Sequence, residues 1–286
     1  MPSLIDIRRR IRSVKNTQQI TKAMKMVSAA KLRRAQDRVI AARPYTAMMR
    51  KVLANVSAAV ANDDSAAENP LLARRPEQRI LLVLITADKG LAGAFNTNLI
   101  KGAQRFIAER SGASVELELI GRKGRDFFRK RGAHIAGDYV NLAAKVVYND
   151  IPAIARKAMD LYCKEEIDAV YLLFNEFKSV VAQKLTVTRV LPVELPQDAG
   201  PLDYIFEQPP AEMLGSLLPR YVEMEFYRAL LESAAAEHAA RMTAMESATS
   251  NAAEMIDKLT LYMNRVRQAS ITKEIIEVVS GAAAAE

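Results

Sequence analysis

A chain of 286 residues, 50% hydrophobic and 26% charged, is long enough for two folding units and too apolar for intrinsic disorder. No apolar run approaches the roughly 18 residues of a membrane span, and the opening Met1-Pro2-Ser3-Leu4-Ile5-Asp6 lacks the apolar centre and small-residue cleavage site of a secretory leader, so a soluble intracellular chain is expected. One cysteine (Cys163) and two distant histidines (His134, His238) exclude an internal disulfide and offer no metal-ligand cluster; Cys163 is expected in a core or on a helix face.

The first element is a very long amphipathic helix from about Leu4 to Val60. Stepping alternately by three and four places Leu4, Ile7, Ile11, Val14, Gln18, Thr21, Lys25, Ser28, Leu32, Ala35, Val39, Ala42, Thr46, Met49, Leu53, Val56 and Val60 on one seam, and 12 of these 17 are apolar. Apolar residues every 3.5 positions keep one stripe facing a partner helix. Four of the five exceptions fall together, from Gln18 to Ser28, where the apolar stripe jumps to Ile20, Met24 and Val27. A seam that shifts this way either meets a different partner or lets the pair separate. Pro44 removes one backbone hydrogen bond and should bend the helix near Arg43.

Asn62 to Pro76 has the composition of a linker. Arg79 to Thr86 follows, a continuous apolar run suited to a strand buried on both faces. A helix is expected from about Ala94 to Glu109, a strand over Val115–Ile120, a helix over Lys123–Arg131 and a short extended piece near His134. Pro152 suits the first turn of a helix running to about Glu165. Ala169–Phe174 is a strong strand, and the β-branched alternation of Lys184–Val190 makes it that strand's hairpin partner. Strands alternating with helices imply an open, mostly parallel sheet with helices on both faces. Pro192, Pro196, Gly200, Pro201, Pro209 and Pro210 mark an irregular return to the last element.

That element is a second long helix, from about Glu212 to Val279. Its seam runs Leu217, Tyr221, Met224, Arg228, Leu231, Ala235, His238, Met242, Met245, Thr249, Ala252, Ile256, Leu259, Met263, Val266 and Ser270, with 12 of 16 positions apolar. No Pro or Gly interrupts Tyr221 to Ser280. The two helices lie at opposite ends of the chain around an intervening domain, and an intramolecular antiparallel pair is the simplest packing; two amphipathic helices on an ordinary core are the plainer alternative. The charges agree with pairing. Residues 1–60 hold 14 Lys/Arg against 2 Asp/Glu, residues 211–286 hold 7 against 11, and the net charge of the chain is +8. The surplus on the first helix, including Arg8-Arg9-Arg10-Ile11-Arg12 and Lys31-Leu32-Arg33-Arg34, suits an acidic protein partner or nucleic acid, or simply a solvated face. No aromatic residue precedes Tyr45, so a base-stacking platform is missing.

Chemistry is sparse. The turn Thr86 to Asn96, with Gly90 and Gly93 between a strand and a helix, has the position of a phosphate-binding loop. It has neither GxGxxG nor Gly-Lys-Ser/Thr, and no acidic residue is placed for a ribose, so a tight strand-to-helix turn is expected. Neither histidine has a Ser or Cys partner by motif and no carboxylate pair stands out; no catalytic residue, metal site or cofactor is assigned.

Both ends nevertheless carry specific motifs. The first is Ile11-Arg12-Ser13-Val14-Lys15-Asn16-Thr17-Gln18-Gln19-Ile20-Thr21-Lys22-Ala23-Met24-Lys25-Met26-Val27, continuing through Ala29 to Gln36. The second is Arg267-Gln268-Ala269-Ser270-Ile271-Thr272-Lys273-Glu274-Ile275-Ile276-Glu277-Val278-Val279-Ser280-Gly281-Ala282. Together they resemble the gamma subunit of the F-type ATP synthase, bacterial type. The resemblance extends through Thr86–Asn96, Ile120-Gly121-Arg122-Lys123-Gly124 and Asp203-Tyr204 to essentially the whole chain. The cysteine-containing regulatory insertion of the chloroplast form has no counterpart.

The resemblance implies a terminal antiparallel coiled coil (1–61 and 210–286) with a central Rossmann-like open α/β domain (77–195). It implies a rotor shaft inside a ring of three alpha and three beta subunits, its α/β domain against the epsilon subunit and the membrane c-ring, carrying torque from proton flow to ATP synthesis without bond chemistry of its own. Carried over by position, Met24 and Lys25 are expected against acidic lever loops of the beta subunits. Arg267, Gln268, Thr272 and Glu274 are expected against loops of the surrounding ring, and the apolar tip Ile275 to Ala285 in an apolar collar. The complex would lie peripherally on the cytoplasmic face of the bacterial plasma membrane. The competing expectations are a basic coiled-coil adaptor for nucleic acid or an acidic scaffold, and an enzyme using the α/β domain.

Overall fold

The computed structural model describes residues 3–59, 69–142, 146–180, 182–195 and 206–283. The first part of the expected linker, Pro196, Gly200, Pro201, the Asp203-Tyr204 pair and the last residues of the apolar tip lie outside the described residues. The chain forms two compact units, residues 29–241 and residues 1–28 with 242–286. Two helices contribute to both units: α1 (Leu4–Ala59), with Pro44 inside it, and the C-terminal helix (Pro210–Ala283).

In the unit of residues 29–241 the core is a five-stranded sheet. In chain order its elements are β1 (Arg79–Ile85), α2 (Phe95–Glu109), β2 (Ser114–Ile120), α3 (Arg122–Arg129), β3 (Ile135–Tyr139), α4 (Ile151–Cys163), β4 (Ala169–Phe177) and β5 (Gln183–Leu191), followed by the C-terminal helix, α5. The strand order is β3-β2-β1-β4-β5. β1 pairs in parallel with β2 (Leu82 opposite Leu117) and with β4 (Leu82 opposite Tyr171), and β2 in parallel with β3; β5 returns antiparallel beside β4 (Leu173 opposite Val187). Both alternate sets of β1 are buried, which is why Ile80 to Ile85 is apolar without interruption. Ile80, Leu82 and Leu84 pack with Leu99, Ala103 and Phe106 of α2, Phe128 of α3 and Ala236 of α5. The opposite face holds Glu118 of β2, which α4 meets through Lys157.

Two devices fix the chain at the carboxyl ends of β1 and β2. Thr86 Oγ1 lies within hydrogen-bonding distance of the Ile120 and Gly121 carbonyls and accepts the Gly124 N–H. Gly121 takes φ +97°, and a Cβ there would meet the Thr86 carbonyl oxygen at 2.1 Å, so no other residue fits. At the opposite end of the sheet, Asp168 accepts the Gln78 and Arg79 N–H groups and the Arg79 guanidinium, which holds its carboxyl below the usual range and pins the starts of β1 and β4 together.

The helical segments of this unit carry their predicted stripes inward. Leu32, Val39, Met49, Leu53 and Val56 of α1 are buried, and α5 is buried almost all round from Tyr221 to Glu237. The buried carboxylates of α5 are individually matched. Glu223 accepts from Arg156 and Tyr148, Glu225 from Arg228, Glu232 from the Phe177 N–H, and Glu237 pairs with Arg241. Arg241 also donates to the Gly90 carbonyl, tying the β1–α2 turn to α5.

Candidate functional site

In the unit of residues 1–28 and 242–286 the two terminal helices run antiparallel. Thr21 faces Thr249, with hydroxyls 2.8 Å apart, and Lys25 meets Glu246 at 2.6 Å. One index rises as the other falls, as an antiparallel register requires. Ile7, Thr21, Ser28, Met245 and Ala252 are buried, and Leu4, Ile11, Val14 and Gln18 are half-buried. The antiparallel pair expected from sequence is therefore present.

The polar block Gln18–Ser28 keeps the seam straight. Separation of the pair was one expectation, but Thr21, Lys25 and Ser28 stay on the stripe, and hydroxyls and an ion pair replace apolar contact. Thr21 Oγ1 is also within reach of the Gln18 carbonyl at 3.0 Å and Thr249 Oγ1 of the Met245 carbonyl at 2.7 Å, so one hydroxyl donates to its own helix carbonyl and accepts the proton of the other. The alternate apolar residues point outward: Ile20 is 59% exposed, Met26 61% and Val27 56%, while Met24 is half-buried. A helix gains nothing in water by presenting three large apolar side chains beside its own seam, so this side of α1 has the character of a contact surface.

Continuing the register set by Thr21 and Thr249 puts Leu4 opposite residue 266. Everything after it extends past the start of α1, and residues 271–280 are exposed throughout. Arg267, Gln268, Thr272 and Glu274 all lie on this overhang and are exposed. Their hydrogen bonds are local: Thr272 Oγ1 donates to the Gln268 carbonyl, and Ser270 Oγ to Glu274. Ile271, Ile275, Ile276, Val278 and Val279 are uncovered as well. The structure thus groups Met24 and Lys25 at one level of the helix pair and the other four residues on the overhang.

The remaining sequence candidates are accounted for individually. Asn96 Oδ1 accepts the Ala87 N–H, and Asp88 Oδ1 accepts the N–H groups of Arg122 and Asn141, so the glycine-bearing turn is a strand-to-helix connection with a carboxylate at the start of α3. His238 is largely buried and pushed down to about 4, by desolvation first and by the charges of Arg241 and Lys31. Cys163 is exposed on α4. No group of His, Cys, Asp and Glu able to hold a metal occurs among the described residues, and no described helix is long and apolar enough to cross a membrane. Sequence reasoning did not single out Glu246 as the mate of Lys25. The signal lay in the two seams laid antiparallel, which put Thr21 beside Thr249 and Glu246 one turn away.

The features define a class: an antiparallel helix pair and an open α/β domain, with exposed apolar side chains along one helix and a bare helical end. The family model for ATP synthase matches residues 3–285. The ATP synthase gamma chain of Solibacter usitatus is 80% identical over the full length of both chains, and that of Anaeromyxobacter sp. (strain Fw109-5) is 52% identical over 99% of each. Among solved structures, a chain of the central stalk and c-ring of Tetrahymena thermophila mitochondrial ATP synthase is 26% identical with a TM-score of 0.63, covering 80% of this chain and 99% of that one. A chain of the Euglena gracilis mitochondrial ATP synthase, 19% identical, shares the fold at a TM-score of 0.67 over 98% of this chain and 94% of that one. The chain belongs to the ATP synthase gamma chain family. Its function is that of the rotor shaft, and the adaptor reading has no support among these relatives.

Proposed function

We propose that the chain transmits torque in an F-type ATP synthase through two contact zones, the level of α1 that carries Met24 and Lys25, where Ile20, Met26 and Val27 face outward, and the overhang carrying Arg267, Gln268, Thr272 and Glu274. The observation that carries this reading is the helix pair itself: it closes on Thr21, Lys25 and Ser28 while Ile20, Met26 and Val27 remain exposed beside them. The surrounding ring is three alpha and three beta subunits, and the shaft presents a different side to each beta subunit in turn. Unequal contacts on the three sides bias the three nucleotide sites toward different conformations, which is what coupling requires thermodynamically. A cationic helix against carboxylate-rich loops favours rapid, register-specific contact more than tight binding.

Division of labour follows the segments. Residues 1–61 and 210–286 supply the coiled coil, and residues 77–195 supply the domain that meets the epsilon subunit and the membrane c-ring. This chain performs no bond chemistry; ATP is made and hydrolysed on its partners. It lies peripherally, on the cytoplasmic face of a bacterial plasma membrane, and meets the bilayer only through the complex.

The test is co-expression with alpha and beta subunits, reading native mass and ATP hydrolysis in one preparation. One copy of this chain per three alpha–beta pairs, with hydrolysis dependent on it, is expected. Removing residues 267–286 should leave the complex assembled and lower torque in single-molecule rotation, and Met24→Lys should lower ATP-driven ion pumping more than hydrolysis. A chain that stays apart from folded partners, or variants with unchanged torque and coupling, would refute the assignment.

A further inference from the structure

Within the unit of residues 29–241, a cavity of about 610 Å³ opens between α1, the end of β4 and α5. Its volume lies in the range of small-molecule sites, which are mostly apolar with a few placed polar groups. Val39, Ala42 and Ala47 of α1 and Leu231 of α5 supply apolar wall, and Arg43 and Arg50 approach from α1. The two arginines are seven positions apart, hence two helical turns, on one face and about 10 Å apart along the axis.

The charges of this cavity do not cancel. Arg228 is held by Glu225 at 2.7 Å and lies over the Phe174 ring, and Glu176 is held by Lys178 at 2.7 Å. Glu232 accepts the Phe177 N–H at 3.1 Å, and burial pushes its carboxyl toward the neutral form. Arg50 stands beside the Tyr221 phenol, and Glu225 acts on it through space. Arg43 has no hydrogen bond or ion pair among the described residues; it acts on Glu232 only through space. Two guanidiniums therefore stand beside apolar wall without a carboxylate bonded to either. A bare inorganic ion would satisfy them and leave the walls wet, while a neutral apolar guest would leave the guanidiniums unmatched.

We propose that this cavity binds an amphiphilic organic anion, its acid group between Arg43 and Arg50 and its apolar body against Val39, Ala42, Ala47 and Leu231. The experiment is titration calorimetry on the full chain with decanoate below its micellar concentration and with decanol as the uncharged mate. Saturable one-to-one binding of decanoate is expected, at least tenfold tighter than decanol, as hydrogen bonds to a charged group imply. Arg43→Gln/Arg50→Gln should weaken decanoate tenfold or more, Ala47→Phe should abolish it by filling the space, and Arg8→Gln on the other unit should change nothing. These side chains are exposed or at the cavity edge, and unchanged melting curves will show that the variants fold. Absence of saturation, equal affinity for decanol, or affinity unmoved by the double substitution overturns the site. Binding to oleate-containing vesicles that depends on Arg43 and Arg50 would identify a membrane acid as the source; decanoate binding without it would identify a soluble one.

Discussion

Replacing His238 with methionine should change the pH dependence of stability in a defined window. The ring is largely buried on α5, its Nδ1 has no hydrogen-bond partner, and Arg241 and Lys31 add to the cost of charging it, so it titrates at about 4 instead of 6.5. Protonation of the unfolded chain begins near 6.5 while the folded chain resists it. Stability due to the neutral ring is thus complete above 6.5 and lost as pH falls through about 4. Two and a half pKa units set a ceiling of about 3 kcal/mol on that loss, roughly 5–10 °C in melting temperature for a protein of this size. Other groups pull in both directions. Burial raises Glu237 and Glu232, whose contribution is lost as pH rises through their folded values, whereas Asp168 and Glu176 are lowered and lose theirs in acid. The informative quantity is therefore the difference between His238→Met and the parent chain in urea midpoints at pH 7, 6, 5 and 4. The variant should match or exceed the parent at pH 7, because it removes an unpaired buried nitrogen, and its advantage should grow by about 2–3 kcal/mol toward pH 4. A difference constant within about 0.5 kcal/mol across the series would mean that the ring is solvated or partnered, and the reasoning would fail.

The Glu118–Lys157 pair makes a second case. Glu118 is 2% exposed and both its oxygens accept from Lys157, which is 38% exposed. Lys157→Met should cost about 2–3 kcal/mol by urea denaturation, below the usual figure for a broken buried pair because one end meets water; adding Glu118→Gln should recover most of it. Tyr139 beside Glu118 is pushed up to about 12, mainly by burial, so stability should decline as pH rises from 10 through 12, and ultraviolet titration, in which Tyr148, Tyr162, Tyr171 and Tyr221 also ionise late, should show one late phenol shift earlier in Glu118→Gln. Gly121→Ala should cost upward of 3 kcal/mol or abolish soluble expression, while Gly132→Ala, at φ +64° with open space around it, should cost only about 1–2 kcal/mol in the same melting assay. In the helix pair, Thr21→Val/Thr249→Val should give a double-mutant coupling of about 1 kcal/mol or less in thermal melts of the full chain, since each hydroxyl keeps a nearby carbonyl when its mate is removed.

Much of this architecture was legible because its signals are periodic. The seam chosen at alternating steps of three and four coincides with the buried and half-buried positions of α1, and the strand runs were placed within a few residues. What escaped is what periodicity cannot encode. Gln18 to Ser28 resembled a shifted seam because polarity alone does not say whether two hydroxyls will find each other across a helix pair. Glu118 looked like an ordinary polar strand residue until α4 brought Lys157 to it, and the cationic cavity depends on which of several arginines lack a bonded carboxylate. Such pairings are products of tertiary structure.

The hydroxyl contact between Thr21 and Thr249 joins residues 228 positions apart. Ribosomes add roughly 5–20 residues per second, so α1 is synthesised roughly 10–50 seconds before its mate emerges. During that interval Leu4, Ile7, Ile11 and Val14 have no partner to cover them, while the sheet between the two helices can already form. The cationic residues crowding that stretch help to keep it dissolved while it waits. Synthesis order thus makes the antiparallel pair the last part of this protein able to fold.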